Sequence, residues 1–274
     1  MTHQLFSEQE HANKYHLYRP TYSEELYDRI LEYYFDGKQT NEKIPLALDV
    51  ACGSGQATVD LSNIDVSVNQ LAYATPKDNV EYRCAKAEEL TFLEDNSVDL
   101  VTIAVGLHWL DIEKFVREVQ RILKPHTGVL AVWTYAAMMT LGNAAADAIY
   151  HEIEQIELFS YSNAKRWLSD DSYQSLLPLL PYPLTRRQYI IEQIHSTTLA
   201  YFLGLFETFS AVQAYRQQNG EEAFRKMLNS FGQKVLQCYA TTKGENENGE
   251  RLTYDTIRIK ISYQIPLYLM KKKS

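Results

Sequence analysis

Three groups of side chains in this chain have the types and spacing for chemistry. The first lies in ALDVACGSGQATVDLSNIDVS, residues 47 to 67. There an apolar run carries Asp49, a Gly53-Ser54-Gly55 turn follows, and a second acid, Asp65, comes about sixteen residues after Asp49. Glycines at such a turn let the backbone approach a ligand closely, and a helix opening behind them offers unpaired N–H groups. Three kinds of cofactor use this arrangement. A phosphate loop of the ATP-binding kind needs a lysine after its glycines, and none stands between Cys52 and Lys77. A dinucleotide turn has a third glycine three residues after the second, where Thr58 stands, so a nicotinamide-dependent oxidoreductase is the minor reading. A methyl-donor site holds an amino acid and a ribose in place of a pyrophosphate and can dispense with that glycine.

The second group is Gly106-Leu107-His108-Trp109, and the third is KYHLYRPTY, which supplies Tyr15, Tyr18, Arg19 and Tyr22. Methyl transfer from a sulfonium is an in-line displacement, so positioning and exclusion of water carry most of the catalysis. A carboxylate acceptor is already a nucleophile, whereas a phenol or amine needs a proton acceptor nearby. His108 could orient an acceptor through a hydrogen bond, Trp109 could wall the pocket, and Arg19 could pair bidentately with a carboxylate. Taken alone, a histidine beside a tryptophan is as well explained by packing, and an arginine before a proline by a surface turn.

The elements that must position these groups follow from periodicity. Ser23 to Phe35 reads as a helix with Ser23 at its N-cap. Leu46 to Ala51, Val80 to Cys84, Val98 to Val105 and Gly128 to Tyr135 are short apolar runs of the kind buried parallel strands show. Asp111 to Leu123 carries the apolar stripe of an amphipathic helix. Strands alternating with helices predict an α/β fold, a doubly wound and mostly parallel sheet. Beyond Tyr135 the pattern changes: Ala144 to Phe159, Thr198 to Tyr215 and Glu221 to Tyr239 read as helices, and Thr256 to Met270 as a late strand. The expected organisation is residues 1–135 as an N-terminal lid and donor-binding core, 136–250 as a mostly helical cap, and 251–274 as the final strand or strands returning to the core sheet.

The stretches LALDVACGSGQAT, NVEYRCAKAEEL and LEDNSVDLVTIAVGLHWLDIEKFVREVQRILKPHTGVLAVWTY together resemble the class I S-adenosylmethionine-dependent methyltransferases. More narrowly they are similar to the trans-aconitate methyltransferase-like group, with a looser likeness to juvenile-hormone-acid methyltransferases. The most specific parts are Gly106 to Trp109, the Asp95-to-Asp99 turn and the Leu-Lys-Pro that ends the helix. The resemblance implies S-adenosyl-L-methionine as cofactor and a Rossmann-like fold with a helical cap before the last strand. It implies that Asp49 orients the glycine turn and the donor's amino group, and that Ala51, Gly53 and Gly55 pass the methionine part. Asp65 would take the ribose hydroxyls, Ala87 and Glu88 would lie at the adenine, and Val105 and His108 would lie under the sulfonium. The segment with Tyr15, Tyr18 and Arg19 would fold back over the donor. The expected reaction is methylation of a small molecule, a carboxylate oxygen of a small organic or lipophilic acid.

One interval departs from that pattern. A strand, turn, helix and second strand usually place the ribose acid about twenty residues on. The shorter spacing predicts residues missing between Ser62 and Ile64, a curtailed helix and a poorly paired strand beside the first. That departure supports a second reading, a non-catalytic binding protein on the same fold. The net charge of −8 argues against a nucleic-acid partner. Three cysteines at unrelated spacings suggest neither disulfides nor a metal site. With no apolar run long enough to span a membrane and no signal-peptide pattern, the expectation is a cytoplasmic protein without a membrane partner. Nothing in the sequence speaks to oligomeric state.

Overall fold

A computed structural model describes residues 14, 17–19, 21–40, 42–52, 57, 62–65, 80–136, 139–163, 165–240 and 252–273, with the backbone alone for 62–65. Helix α1 is Glu24–Tyr34 and strand β1 is Ala47–Val50; β2 is Ser62–Asp65, β3 Tyr82–Cys84 and β4 Leu100–Ala104. After a 3₁₀ turn at Leu107–Trp109 come α2, Ile112–Ile122, and β5, Val129–Trp133. The second half holds α3 (Ala144–Glu152), a short α4 (Trp167–Asp170), β6 (Arg187–Thr198), α5 (Leu199–Glu207), α6 (Ser210–Tyr239) and β7 (Arg258–Lys271). Helix α6 bends at Gly220, whose φ of 84° breaks the helical run, and the helix expected over Thr198 to Tyr215 is divided, α5 ending at Glu207 and α6 beginning at Ser210.

The seven strands form one sheet in the order β3-β2-β1-β4-β5-β7-β6. Neighbouring pairs from β3 to β5 are parallel, and β7 runs antiparallel to both β5 and β6. This is the doubly wound architecture the pattern predicts. Alternate residues of the central strands feed two cores. Ala47, Leu100, Val129, Ala131 and Trp133 meet α1, α3, α5 and α6 on one face. Leu48, Val50, Val101, Ile103, Leu130 and Val132 meet α2 and the segment from Tyr173 to Leu180 on the other.

Three expectations are corrected. The strand beside β1 is present and paired: Leu48 is in register with Ser62 and Val50 with Ile64, while Asp65 pairs with Cys84 of β3. The stretch between Val50 and Ser62 is close to the dozen residues a parallel crossover needs, so the short interval does not cost the sheet its second strand. The predicted shortened helix lies outside the described residues. The hydroxyl of Ser23 does not cap α1; it is buried without a partner, and the Ser23 N–H instead donates to Gln193 Oε1 at 3.1 Å. Strand β6 falls in a region the pattern reads as mostly helical cap. Its inward positions include Gln193 and its outward ones Ile190 and Ile194, so the alternation that marks a half-buried strand is inverted at those sites.

A clamp at the amino-terminal edge of the sheet holds the β3–β4 connection to α2. The Arg121 guanidinium donates to the carbonyls of Leu90 and Leu93 and to Asp95 Oδ1 at 2.8–2.9 Å, and pairs with Glu118, which accepts from the Leu90 N–H. A lysine carries one compact charge and cannot reproduce this planar fork. Arg121→Lys is expected to lower the unfolding free energy by about 1–3 kcal/mol in urea denaturation, since part-buried carbonyls lose their donors.

Candidate active site

Strands β1 and β4 are neighbours whose onward connections lead to opposite sides of the sheet, which makes their carboxyl ends the switch point where such sheets bind ligands. Both chains leave the sheet through left-handed residues, Ala51 at φ 55° and Val105 at φ 53°. For a β-branched valine that conformation costs on the order of 1–3 kcal/mol, and such strain collects at functional sites. Beside it, a β-carbon on Gly106 would stand 2.7 Å from Ala51 Cβ, so only glycine fits where the two exits touch. Asp49, wholly buried on β1, accepts a hydrogen bond from Thr102 Oγ1 on β4 at 2.7 Å.

The other residues picked from sequence fall around this crevice or elsewhere. Asp65 ends β2, one register step beyond the partner of Val50 and so at the same edge of the sheet. Its side chain, together with Tyr15, Gly53 and Gly55, lies outside the described residues. Ala87 is buried on the α2 side. Glu88 Oε1 accepts from the Asp111 N–H at 2.9 Å, tying the β3–β4 loop to the start of α2. The Tyr18 ring lies against Gly204 of α5, where a β-carbon would meet it at 2.5 Å, and edge-on to Tyr201 at 5.4 Å.

Val105, His108, Trp109 and Arg19 line one cavity of about 140 Å³ between the sheet edge and the cap. The Arg19 guanidinium is aimed by Thr208, to whose Oγ1 its Nε donates at 3.0 Å, and lies over the Phe209 ring. The rings of His108 and Trp109 are 4.5 Å apart. His108 Nδ1 is 3.0 Å from the Tyr173 hydroxyl. Burial, reinforced by the positive charges of Arg166 and Lys165, pulls the His108 pKa down to about 4, so the imidazole is neutral at physiological pH.

Sequence reasoning missed the cap's contribution. Arg166 lines the cavity between Glu154, 3.0 Å from its Nη2, and Asp170, 3.7 Å from its Nε. Burial works against the Arg166 charge, yet these two carboxylates outweigh it and raise the pKa, while burial raises that of Asp170. Glu154 belongs to a π-helical turn, Ile153–Glu157, that continues α3; such turns are frequent at functional sites because they re-aim a side chain. No motif in the second half marks these residues, because only the packing of α3 and α4 brings them to the sheet edge.

A methyltransferase domain family matches residues 48–132. A Dictyostelium discoideum protein named as a methyltransferase is 31% identical over 245 residues, which cover 86% of this chain and 87% of that protein. A Saccharomyces cerevisiae protein named as an S-adenosylmethionine-dependent methyltransferase is 28% identical over 135 residues, 44% of each chain. Among solved structures, one from Anaeromyxobacter dehalogenans described as a type II methyltransferase superposes with a TM-score of 0.69 at 24% identity, covering 93% of this chain and 98% of that one. Among the described residues no helix is long and apolar enough to cross a membrane.

The buried imidazole has a consequence for stability. The unfolded chain protonates His108 near pH 6.5, whereas the folded chain resists until about 4. Its contribution is therefore intact above pH 6.5 and is lost as the pH falls toward 4. The unfolding free energy of the wild type should fall by up to about 3 kcal/mol more than that of His108→Asn across this window, read by denaturant titration at each pH.

Proposed function

The chain belongs to the class I S-adenosylmethionine-dependent methyltransferases, and we propose that it methylates a carboxylate oxygen of a small organic or lipophilic acid held in the cavity beside Val105. The observation that carries this reading is the placing of Arg19 and a neutral His108 on a cavity that reaches Val105 at the end of β4, where Arg166 is already matched by Glu154 and Asp170. The subgroup its motifs resemble is the trans-aconitate methyltransferase-like one.

When bound, S-adenosylmethionine supplies a methyl group on a positively charged sulfur. The residues present fit it: the crevice is lined by strained, closely apposed backbone at Ala51, Val105 and Gly106, and a buried carboxylate, Asp49, stands at its root. In this assignment Asp49 orients the Gly53–Gly55 turn and the donor's amino group, and Ala51 passes the methionine part. Asp65 takes the ribose hydroxyls, a job that suits a carboxylate with two acceptor oxygens. Ala87 and Glu88 flank the adenine, and Tyr15 and Tyr18 belong to the segment that covers the donor.

On the acceptor side Arg19 grips the carboxylate, His108 hydrogen-bonds the oxygen that will be methylated, and Trp109 walls the pocket against water. No base is required, which agrees with an imidazole that has no charge to gain in the working pH range. The non-catalytic reading drew on the short interval after Asp49, and the paired β2 weakens that ground.

Calorimetric titration with S-adenosylmethionine and its demethylated product tests the donor site. Micromolar binding is expected, and Asp49→Asn should weaken it by at least about tenfold without loss of fold; a folded wild type that binds neither compound would end the catalytic reading. A panel of small carboxylic acids and amines, assayed with donor labelled in its methyl group, tests the acceptor. Base-labile methyl esters are the expected products, whereas base-stable methylamines alone would refute the carboxylate. Arg19→Gln should raise KM for the acid by about tenfold while donor affinity stays within about twofold. A loss confined to donor affinity would instead assign the arginine to the donor.

A further inference from the structure

Tyr173 is wholly buried, and it and Ser172 both adopt left-handed backbone, with φ of 61° and 59°. Two successive non-glycine residues in that region, one of them bulky, are strained, and they persist only where their surroundings hold them. Here the holding is visible. The Tyr268 hydroxyl donates to the Ser172 carbonyl at 2.6 Å and accepts from Gln174 Nε2 at 2.9 Å, while the Tyr173 N–H donates to the Leu168 carbonyl. The result of the strain is to place one phenol hydroxyl 3.0 Å from Nδ1 of His108.

The direction of that hydrogen bond follows from the burial of the phenol. At hydrogen-bond geometry the hydroxyl meets one group among the described residues, Nδ1 of His108. The hydroxyls of Thr134 and Ser169 are bonded to each other. Burial keeps the phenol protonated by raising its pKa. A phenol that accepted from Nδ1 would leave its own buried proton without a partner, which is costly, so that proton goes to His108 Nδ1.

We propose that Tyr173 is a positioning residue whose hydroxyl, by donating to Nδ1, holds His108 as the Nε2–H tautomer, so that the histidine offers the cavity a hydrogen-bond donor and not a base. Among the described residues Nε2 has no hydrogen-bond partner of its own, and His108 lines the cavity. A donor at that place complements an anionic oxygen. It is the wrong group for an acceptor that must first lose a proton, because the nitrogen that would take it already carries one. This deepens the proposed function and rests on it for the identity of the occupant: the acceptor class is one that arrives deprotonated.

Long-range ¹H–¹⁵N spectra of the full chain, labelled at its histidine rings and recorded at pH 7 without acceptor, test the wiring. His108→Gln identifies the His108 signals among the seven histidines. The expected pattern is the neutral Nε2–H tautomer in the wild type, with Tyr173→Phe reducing its excess over the other tautomer by about tenfold. An Nδ1–H tautomer in the wild type, or a folded Tyr173→Phe protein with the wild-type tautomer ratio, would overturn the proposal. The wild-type spectrum decides by itself should the variant not fold. Because neither donor nor acceptor enters the measurement, failure here leaves the methyl-transfer reading standing, and failure of donor binding leaves the tautomer standing.

Discussion

At the carboxyl ends of β1 and β4 two chains leave the sheet in opposite directions with no room for one more carbon atom between them. Gly106 against Ala51, with left-handed backbone at Ala51 and Val105, is the constraint from which the rest of the site follows. Peeling apart at that point opens a crevice whose walls are backbone, and backbone at close range is what a ligand with many polar atoms requires. The strain is tolerated because the strands behind it are buried and paired: every residue of β1 is buried and in register with β4, and Asp49 and Thr102 face each other and share a hydrogen bond. Conformational cost sits at the rim and cohesion in the layer beneath it.

The cap answers with charge where the sheet answers with shape. Arg166 sits between Glu154 and Asp170 at the cavity wall, and part-buried pairs gain little net stability, since desolvation offsets attraction. Their value is geometric. A guanidinium held from two sides cannot wander, and a neutral imidazole beside it stays neutral because that same positive charge, added to burial, opposes protonation. The π-helical turn that delivers Glu154 continues directly from the end of α3, a departure from regular helix often found at functional sites.

What could be read from sequence divides along physical lines. Strands β1, β4 and β5 and helix α2 declare themselves because their burial depends on local apolar runs or a 3.6-residue stripe. The crevice was legible for the same reason, since glycines and an acid follow directly on a legible strand. The Asp95-to-Asp99 turn was equally visible, yet its work lies at the other end of β4. There Asp99 accepts from the Leu46 N–H, the Tyr34 hydroxyl and Lys124, and Asp95 joins the Arg121 clamp. A motif specific enough to indicate a family can thus be wholly architectural. Strand β6 was hidden because Gln193 and His195 point inward while Ile190 and Ile194 point outward. Tyr173 was hidden more deeply, because its role depends on a backbone conformation that tyrosine rarely adopts and on a partner, His108, sixty-five residues away.

The N-terminal segment joins the two halves of the site. Lys14 pairs with Glu207 at 2.7 Å, Tyr18 lies on Gly204, the Tyr201 hydroxyl donates to the Tyr18 carbonyl, and Arg19 is fastened to Thr208. All four anchors fall within α5 and the residue after it, so this part of the segment is fastened to the cap, while Tyr22 packs edge-on against Trp133 of β5. Glycine at position 204 serves this fit: the Tyr18 ring fills the space a side chain would occupy, at the cost of a weaker helix former inside α5. Arg19 therefore reaches the cavity as part of the cap, carried on the same body as Leu205 and Phe209, which also line it. Any displacement of α5 relative to the sheet moves the arginine and these apolar walls together. The charge at the cavity wall and the enclosure of the space around it therefore share one mount.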